Sequence, residues 1–204
     1  MKEQFSLPVL FLATNNQGKI RELKDLLSGF VDTFYHPGEF PGIQPVPEKG
    51  KSYYENALIK ANYYAGKTGY PTLADDSGLE IDFLDGGPGV QSARFLGLNT
   101  TFEEKMKHIL FLLNGVPGEK RRARFVCEAV LVWPDGKLVR GHGELHGVIA
   151  EKIIGEGGFG YDPIFMLPER GITVATLTAD EKNRISHRAL AIKDIIRQCE
   201  SAYA

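Results

Sequence analysis

Leu7-Pro-Val-Leu-Phe-Leu-Ala13 is an unbroken apolar run, followed at once by Thr14-Asn-Asn-Gln-Gly-Lys19 and then by Ile20, Leu23, Leu26 and Leu27 at helical spacing. Seven apolar residues in a row are strand length, and without alternation they read as a strand buried on both faces. The polar turn breaks the strand, and Gly29 closes the helix that follows. Strand, polar turn and helix together present free backbone N–H groups to an anion.

The same alternation of elements continues outward. Val31 to Tyr35 reads as a second strand, and residues 36 to 50, with four prolines and three glycines, as a stiff irregular loop. Ser52-Tyr-Tyr-Glu55 fits a capping box opening a helix whose buried stripe is Ala57, Leu58, Ala61, Tyr64 and Ala65. Short strand-like runs at 71–74 and 79–84 flank Asp75-Asp76-Ser77-Gly78, which sits at a strand end, a plain turn being the alternative reading. Thr101 begins a third helix. Residues 122 to 133 are rich in β-formers, and Pro134-Asp-Gly136 turns them into a hairpin continued by 137–145 and 147–154. Thr178-Ala-Asp-Glu181 is another capping box, Ser186 suits an N-cap, and 189 to 199 form a terminal helix. Helices interleaved with buried and hairpin strands predict an α/β fold with a mixed sheet, in one domain spanning 1–204.

Composition narrows the function classes. The 24 Lys+Arg stand against 26 Asp+Glu, a net charge of −2 that exerts no long-range pull on nucleic acid or an anionic membrane. Two cysteines without CxxC spacing make neither a disulfide scaffold nor a zinc site. The apolar run near the start falls short of the ~20 residues of a spanning helix and lacks a cleavage site, so a cytoplasmic setting is expected.

Five segments carry chemistry. Thr14, Asn15, Asn16, Gln17, Gly18 and Lys19 offer amides, a hydroxyl and an ammonium to a phosphate, although Ala13 and Ile20 exclude a Walker A loop. Adjacent Asp75 and Asp76 on extended backbone face opposite ways, so one of them can serve a given site by holding Mg²⁺ or activating water. Asp-Ser-Gly is also the short signature of aspartic proteases, a rival chemistry. Glu48 is a candidate second metal ligand. In Gly157-Gly-Phe-Gly-Tyr-Asp-Pro163, small residues admit a ligand, Phe159 and Tyr161 offer ring faces to a base, and Asp162 can accept from ring N–H groups. Lys182, His187 and Arg188 are donors suited to a purine carrying oxo groups. Together these are the parts a nucleoside triphosphate requires.

The ordered set resembles a known family. Thr14-x-Asn16-x-x-Lys19, Glu48-x-Gly50-x-Ser52-Tyr53-x-Glu55-Asn56-Ala57, Ala74-Asp-Asp-Ser-Gly-Leu79, Pro88-Gly89 with Ser92-Ala-Arg94, Gly157-Gly-Phe-Gly-Tyr-Asp-Pro163, and Glu181-Lys182 with Ile185-Ser-His-Arg188 are similar to the pyrophosphatases of non-standard purine triphosphates. This is the inosine triphosphatase, or dITP/XTP pyrophosphatase, family. The resemblance implies a Mg²⁺-dependent, cytoplasmic, homodimeric house-cleaning enzyme that cleaves dITP, ITP and XTP or dXTP to monophosphate and pyrophosphate. It implies an elongated α/β molecule with a long mixed sheet, flanking helices and two lobes around a substrate cleft. Residues 14 to 19 would hold phosphates, with Lys19 and Asp76 catalytic and Asp76 and Glu48 on the metal. Ser77, Phe159, Gly160, Tyr161, Asp162, Lys182, His187 and Arg188 would meet the substrate. Tyr53 stands where the family usually has Phe. Related scaffolds that act on modified pyrimidines, the Maf-like group, are the nearest rival enzyme, and a non-catalytic nucleotide-binding module is a further one.

Overall fold

The computed structural model describes residues 5–202. Strands β1 (Leu7–Leu12), β2 (Val31–Tyr35), β3 (Thr72–Ile81), β4 (Arg122–Val132), β5 (Leu138–Ile149), β6 (Phe165–Leu167) and β7 (Ile172–Thr173) form one sheet in the order β2-β1-β3-β4-β5-β6-β7. β1 pairs in parallel with β2 and β3, whereas β6 pairs antiparallel with β5 and β7, so the sheet is mixed as expected. The helices are α1 (Gln17–Leu26), α2 (Tyr53–Thr68), α3 (Phe102–Leu112), α4 (Ala179–Ile185) and α5 (His187–Ala202).

The chain divides into two compact units. The first comprises the chain up to Asp76, Cys127–Gly143 and His187 onward; the second comprises Ser77–Val126 and Glu144–Ser186.

In the first unit, both sheet faces are covered, which is why β1 is apolar throughout. Leu10, Leu12, Leu73, Cys127, Ala129 and Leu131 pack under α1 and α5, meeting Ile20, Leu23, Ala191, Ile192 and Ile195. The alternate residues Phe11, Ala13, Ala74, Val130 and Val132 pack on the other face against Ala57, Ala61, Tyr64 and Ala65 of α2. Each fully buried large apolar side chain contributes about 1.5–3 kcal/mol relative to exposure. α5 lies close because glycines face it: a methyl on Gly143 would collide with the His187 carbonyl, and one on Gly141 with that of Ala191.

In the second unit, Leu79, Ile81, Met106, Ile109, Phe125, Ile149, Tyr161, Ile164 and Phe165 form the core, with Phe125 and Phe165 stacked at 4.3 Å.

Three local expectations change. Asp75-Asp76-Ser77-Gly78 does not end a strand: the two flanking runs are one, and these residues are the middle of the ten-residue β3. Its turn-forming side chains are outweighed by the partners that hold each carboxylate, described below. Residues 137–145 and 147–154 merge in part, as β5 runs through to Ile149 before the chain leaves the sheet. Ser52 caps α2 by accepting from Glu55 N at 3.1 Å, but Glu55 Oε2 reaches past it to Lys51 N at 2.6 Å, so the reciprocal half of the box is displaced by one residue. Full boxes form at His36–Glu39, Thr101–Glu104 and Thr178–Glu181.

Candidate active site

The turn after β1 is a helix N-terminus. Asn16 caps α1, its Oδ1 accepting from Lys19 N at 3.1 Å, while Thr14 Oγ1 accepts from Asn16 N at 3.1 Å. Asn15, Asn16 and Gln17 are exposed, Thr14 is half-buried and Gly18 is buried. This leaves the first-turn amides and polar side chains at a positive helix end, the setting an anion favours. Lys19 turns inward, its Nζ 2.9 Å from Asp75 Oδ2.

Asp75 and Asp76 point to opposite faces of β3, as the pleat demands. Asp75 faces α1 and α5. It is 1% exposed, and its Oδ2 accepts from Arg188 Nε at 3.1 Å and Nη2 at 3.0 Å in addition to Lys19. Burial alone would raise this carboxyl, but Lys19, Arg188 and Lys60 together outweigh it and hold it well below the usual carboxylate range. Arg188 is itself 1% exposed and also bonds Glu22 Oε2 through Nη1 at 2.5 Å. Burial opposes its charge, yet Asp75 and Glu22 push its pKa further above the ordinary value. Cys127 Sγ lies 3.9 Å from Asp75 Oδ2, and burial, then the Asp75 charge, push its thiol far up.

Asp76 faces α2. Asn56 Nδ2 donates to its Oδ2 at 2.9 Å, and the Lys60 ammonium lies 3.9 Å from Oδ1. The same ammonium bonds Glu48 Oε1 at 2.9 Å and donates to the Asp75 carbonyl at 2.7 Å. Burial pushes the Asp76 carboxyl up; Lys60, Lys19 and the Asn56 hydrogen bond offset this only in part. Burial pulls Lys60 down, but Asp76, Glu48 and Asp75 outweigh it and its pKa rises. Asn56 is in turn fixed by Gly50 N, which donates to its Oδ1 at 2.8 Å. A Cβ at Gly50 would stand 2.7 Å from that oxygen, so the close approach requires glycine.

The second unit holds the other candidates. Ser77 follows Asp76 in β3 and is half-buried. Asp162 is 2% exposed; its Oδ2 accepts from Phe159 N at 2.8 Å and from Lys182 Nζ at 2.5 Å. Gly158, at φ +69°, gives that carboxylate room. Lys182 Nζ stands 4.5 Å from the Phe159 ring centroid, and Phe159 and Gly160 are half-buried. The Tyr161 ring is buried instead, edge-on to Phe102 at 5.2 Å with its hydroxyl donating to Ser92 O at 2.8 Å. Tyr161 therefore anchors the glycine loop rather than offering a ring face, while Phe159 keeps that capacity. His187 and Arg188 belong to the first unit, where both are buried. The geometry makes Arg188 a brace between α5, Asp75 and Glu22.

Asn56 and Lys60 were not among the sequence candidates, and Asp75 entered only as the alternative to Asp76. A signal existed: Asn56 and Lys60 are polar residues at i and i+4 inside the alanine stripe of α2, where only partnered polar groups persist.

Fold and site define a mixed α/β protein in which a helix-terminal lysine meets one member of a strand-borne carboxylate pair and the other member faces a second helix. The profile of the Ham1 family matches residues 10–198, and the chain belongs to that family. A dITP/XTP pyrophosphatase of Geobacter sulfurreducens is 48% identical over 183 residues, covering 90% of this chain and 92% of its own. The structure of the Staphylococcus aureus Ham1 protein has a TM-score of 0.83 at 36% identity, over 95% of this chain and 99% of that one. The HAM1 protein from Coxiella burnetii gives 0.82 at 37%, over 96% and 98%.

Proposed function

We propose that the protein hydrolyses purine nucleoside triphosphates bearing deaminated bases (dITP, ITP, XTP and dXTP) to the monophosphate and pyrophosphate. The observation that carries this reading is the placement of Asp76, held by Asn56 and flanked by Lys60, which also engages Glu48. Relatives named dITP/XTP pyrophosphatase over about nine-tenths of the chain support it.

The reaction joins a water oxygen to the α-phosphorus and breaks the bond from that phosphorus to the bridging oxygen. Pyrophosphate departs with the electron pair, and the water's proton passes to a base. Asp76 suits that base by its placement, its Oδ2 fixed by Asn56 and its Oδ1 towards Lys60. Lys19 and Lys60 are cations already oriented by their carboxylate and carbonyl partners, so they can stabilise phosphoryl charge with little reorganisation. In the second unit, Phe159 with the Lys182 ammonium offers a ring face and a donor, the chemistry a 6-oxo purine accepts and the 6-amino group of adenine does not.

Mg²⁺ fits the donor set in the first unit. Among the described residues no group of three or more metal-binding side chains occurs. Mg²⁺ nevertheless commonly binds through one or two carboxylates plus substrate phosphates and waters. Asp76 and Glu48 are two hard oxygen donors that share one cationic neighbour, Lys60, and they would hold the ion. When bound, it supplies Lewis-acid polarisation of a phosphoryl oxygen. Homodimerisation and a cytoplasmic setting come with this reading and rest on the family resemblance. No helix among the described residues is long and apolar enough to cross a membrane.

The test is a panel of pyrophosphate-release rates with dITP, XTP, dATP, dGTP and dUTP. dITP and XTP are expected to exceed dATP by up to ~10⁴-fold, the discrimination available to a site built on hydrogen bonds. Equal rates on dATP would remove the base-reading part, and preference for dUTP would move the enzyme to pyrimidines.

A further inference from the structure

A carboxylate in the middle of β4 has no part in the chemistry above. Glu128 is 6% exposed and lies on the α2 face of the sheet, in step with Val130 and Val132. Burying a charge there is costly unless it is fully partnered. Arg140 of β5 supplies the partner through two parallel bonds, Nε to Oε2 and Nη2 to Oε1, both 2.8 Å. His142 Nδ1 lies 2.8 Å from Oε1 as well. The fork geometry fixes the guanidinium plane, and that plane is used: its central carbon stands 4.4 Å from the ring centroid of Tyr54, in the first turn of α2. Gln198 of α5 donates to the Arg140 carbonyl at 2.7 Å, securing the strand from the other side.

Tyr54 sits two residues before Asn56 and six before Lys60, the α2 side chains that meet Asp76. The core contacts of Ala57, Ala61 and Tyr64 orient the middle of α2, and the Ser52 and Glu55 caps satisfy amides at its end. The Tyr54 contact adds a lateral hold in the first turn, ahead of that core stripe. We propose that Glu128, Arg140 and Tyr54 form a clamp that steadies the first turns of α2, so that Asn56 and Lys60 stand correctly against Asp76. These three are positioning residues; none contacts Asp76 in the way Asn56 does. A shift of about 1 Å at reacting groups can cost up to ~10²-fold in rate, which gives a remote clamp its leverage.

The inference rests on the function proposed above for its kinetic readout, and the experiment separates the two. Arg140→Ala and Tyr54→Leu are each expected to lower kcat on dITP about two- to fivefold, the range of one exposed cation–π contact, with KM unchanged. The double variant should be no worse than Arg140→Ala alone, because that variant already removes the contact with Tyr54 along with the bonds to Glu128. Tyr54→Phe keeps the ring and should retain wild-type kcat. Arg140→Lys should fail to rescue, because an ammonium cannot make the paired bonds to Glu128. Amide hydrogen exchange at residues 57–60, measured without substrate, should be faster in Arg140→Ala and normal in Tyr54→Phe. Unchanged exchange in Arg140→Ala overturns the clamp whatever the activity. Unchanged kcat in both single variants, or additive losses in the double, also overturns it. A wild-type protein inert toward dITP would sink the proposed function and leave the exchange result to decide the clamp.

Discussion

Asp75 and Asp76 are the same residue type one peptide apart, and the two sides of β3 make opposite use of them. On the α1 and α5 side, Asp75 is enclosed by Lys19 and Arg188 and held as a carboxylate far into acid. On the α2 side, Asp76 has one amide donor and a more distant ammonium, and its carboxyl is pushed up. The difference is one of stoichiometry rather than burial. Both groups are withdrawn from water, but only Asp75 has enough close cations to overcome the cost of desolvation. One aspartate is therefore locked in a cluster of cations, and the other, on the function proposed above, is left to exchange a proton or a ligand.

The largest effect that could break this contrast is on turnover. Asp76→Asn is expected to lower kcat on dITP by about 10²–10⁴-fold, the range for loss of a general base, while nucleotide binding is partly retained. Its thermal stability should be unchanged or slightly higher at neutral pH. A carboxyl whose folded pKa is raised opposes folding when ionised, so replacing it by a neutral amide removes a penalty. Kinetics beside a melting curve read both halves; wild-type kcat would take Asp76 out of its role.

Asp75→Asn should behave in the reverse sense. Its folded pKa lies below the unfolded value of ~3.9, so its contribution is fully present above that value and fades as pH falls through the region beneath it. Removing one partner of a buried ion cluster costs about 3–5 kcal/mol, which at this chain length lowers Tm by on the order of 10 °C at pH 7. The gap between wild type and variant should narrow below about pH 4. A variant that melts with the wild type at pH 7 would deny Asp75 its bracing role.

The smallest expected effect sharpens the contrast at Cys127. Burial and the Asp75 charge push its thiol far up, and burial takes Cys199 to about 11. Alkylation of the native protein at pH 8 should therefore be slow at both sites, and rapid once denaturant opens the core. Fast labelling of Cys127 in the native state would mean that the Asp75 side is open to solvent.

Much of this was legible in the sequence, and the part that was not has a common cause. The unbroken run 7–13 announced a doubly covered strand because periodicity reports burial directly, and β1 lies between two helical layers as that run requires. The opposed directions of Asp75 and Asp76 followed from the pleat alone. The strand was ended too early at Asp-Asp-Ser-Gly because local propensity favours a break there, whereas it is held by partners as distant in sequence as Arg188. The bracing of Arg188 by Asp75 and Glu22 was hidden for the same reason: side-chain donors look alike until the fold shows which anion they face. Tyr161 likewise reads as a platform in sequence and proves to be an anchor, because Phe102 and Ser92 take its ring and hydroxyl.

The most direct test of the chemistry assigned to the Asp76 side is to hydrolyse dITP in ¹⁸O-enriched water and weigh the products. Attack at the α-phosphorus puts one heavy oxygen in dIMP and none in pyrophosphate. Heavy oxygen recovered in pyrophosphate, or release of orthophosphate with dIDP, would contradict it.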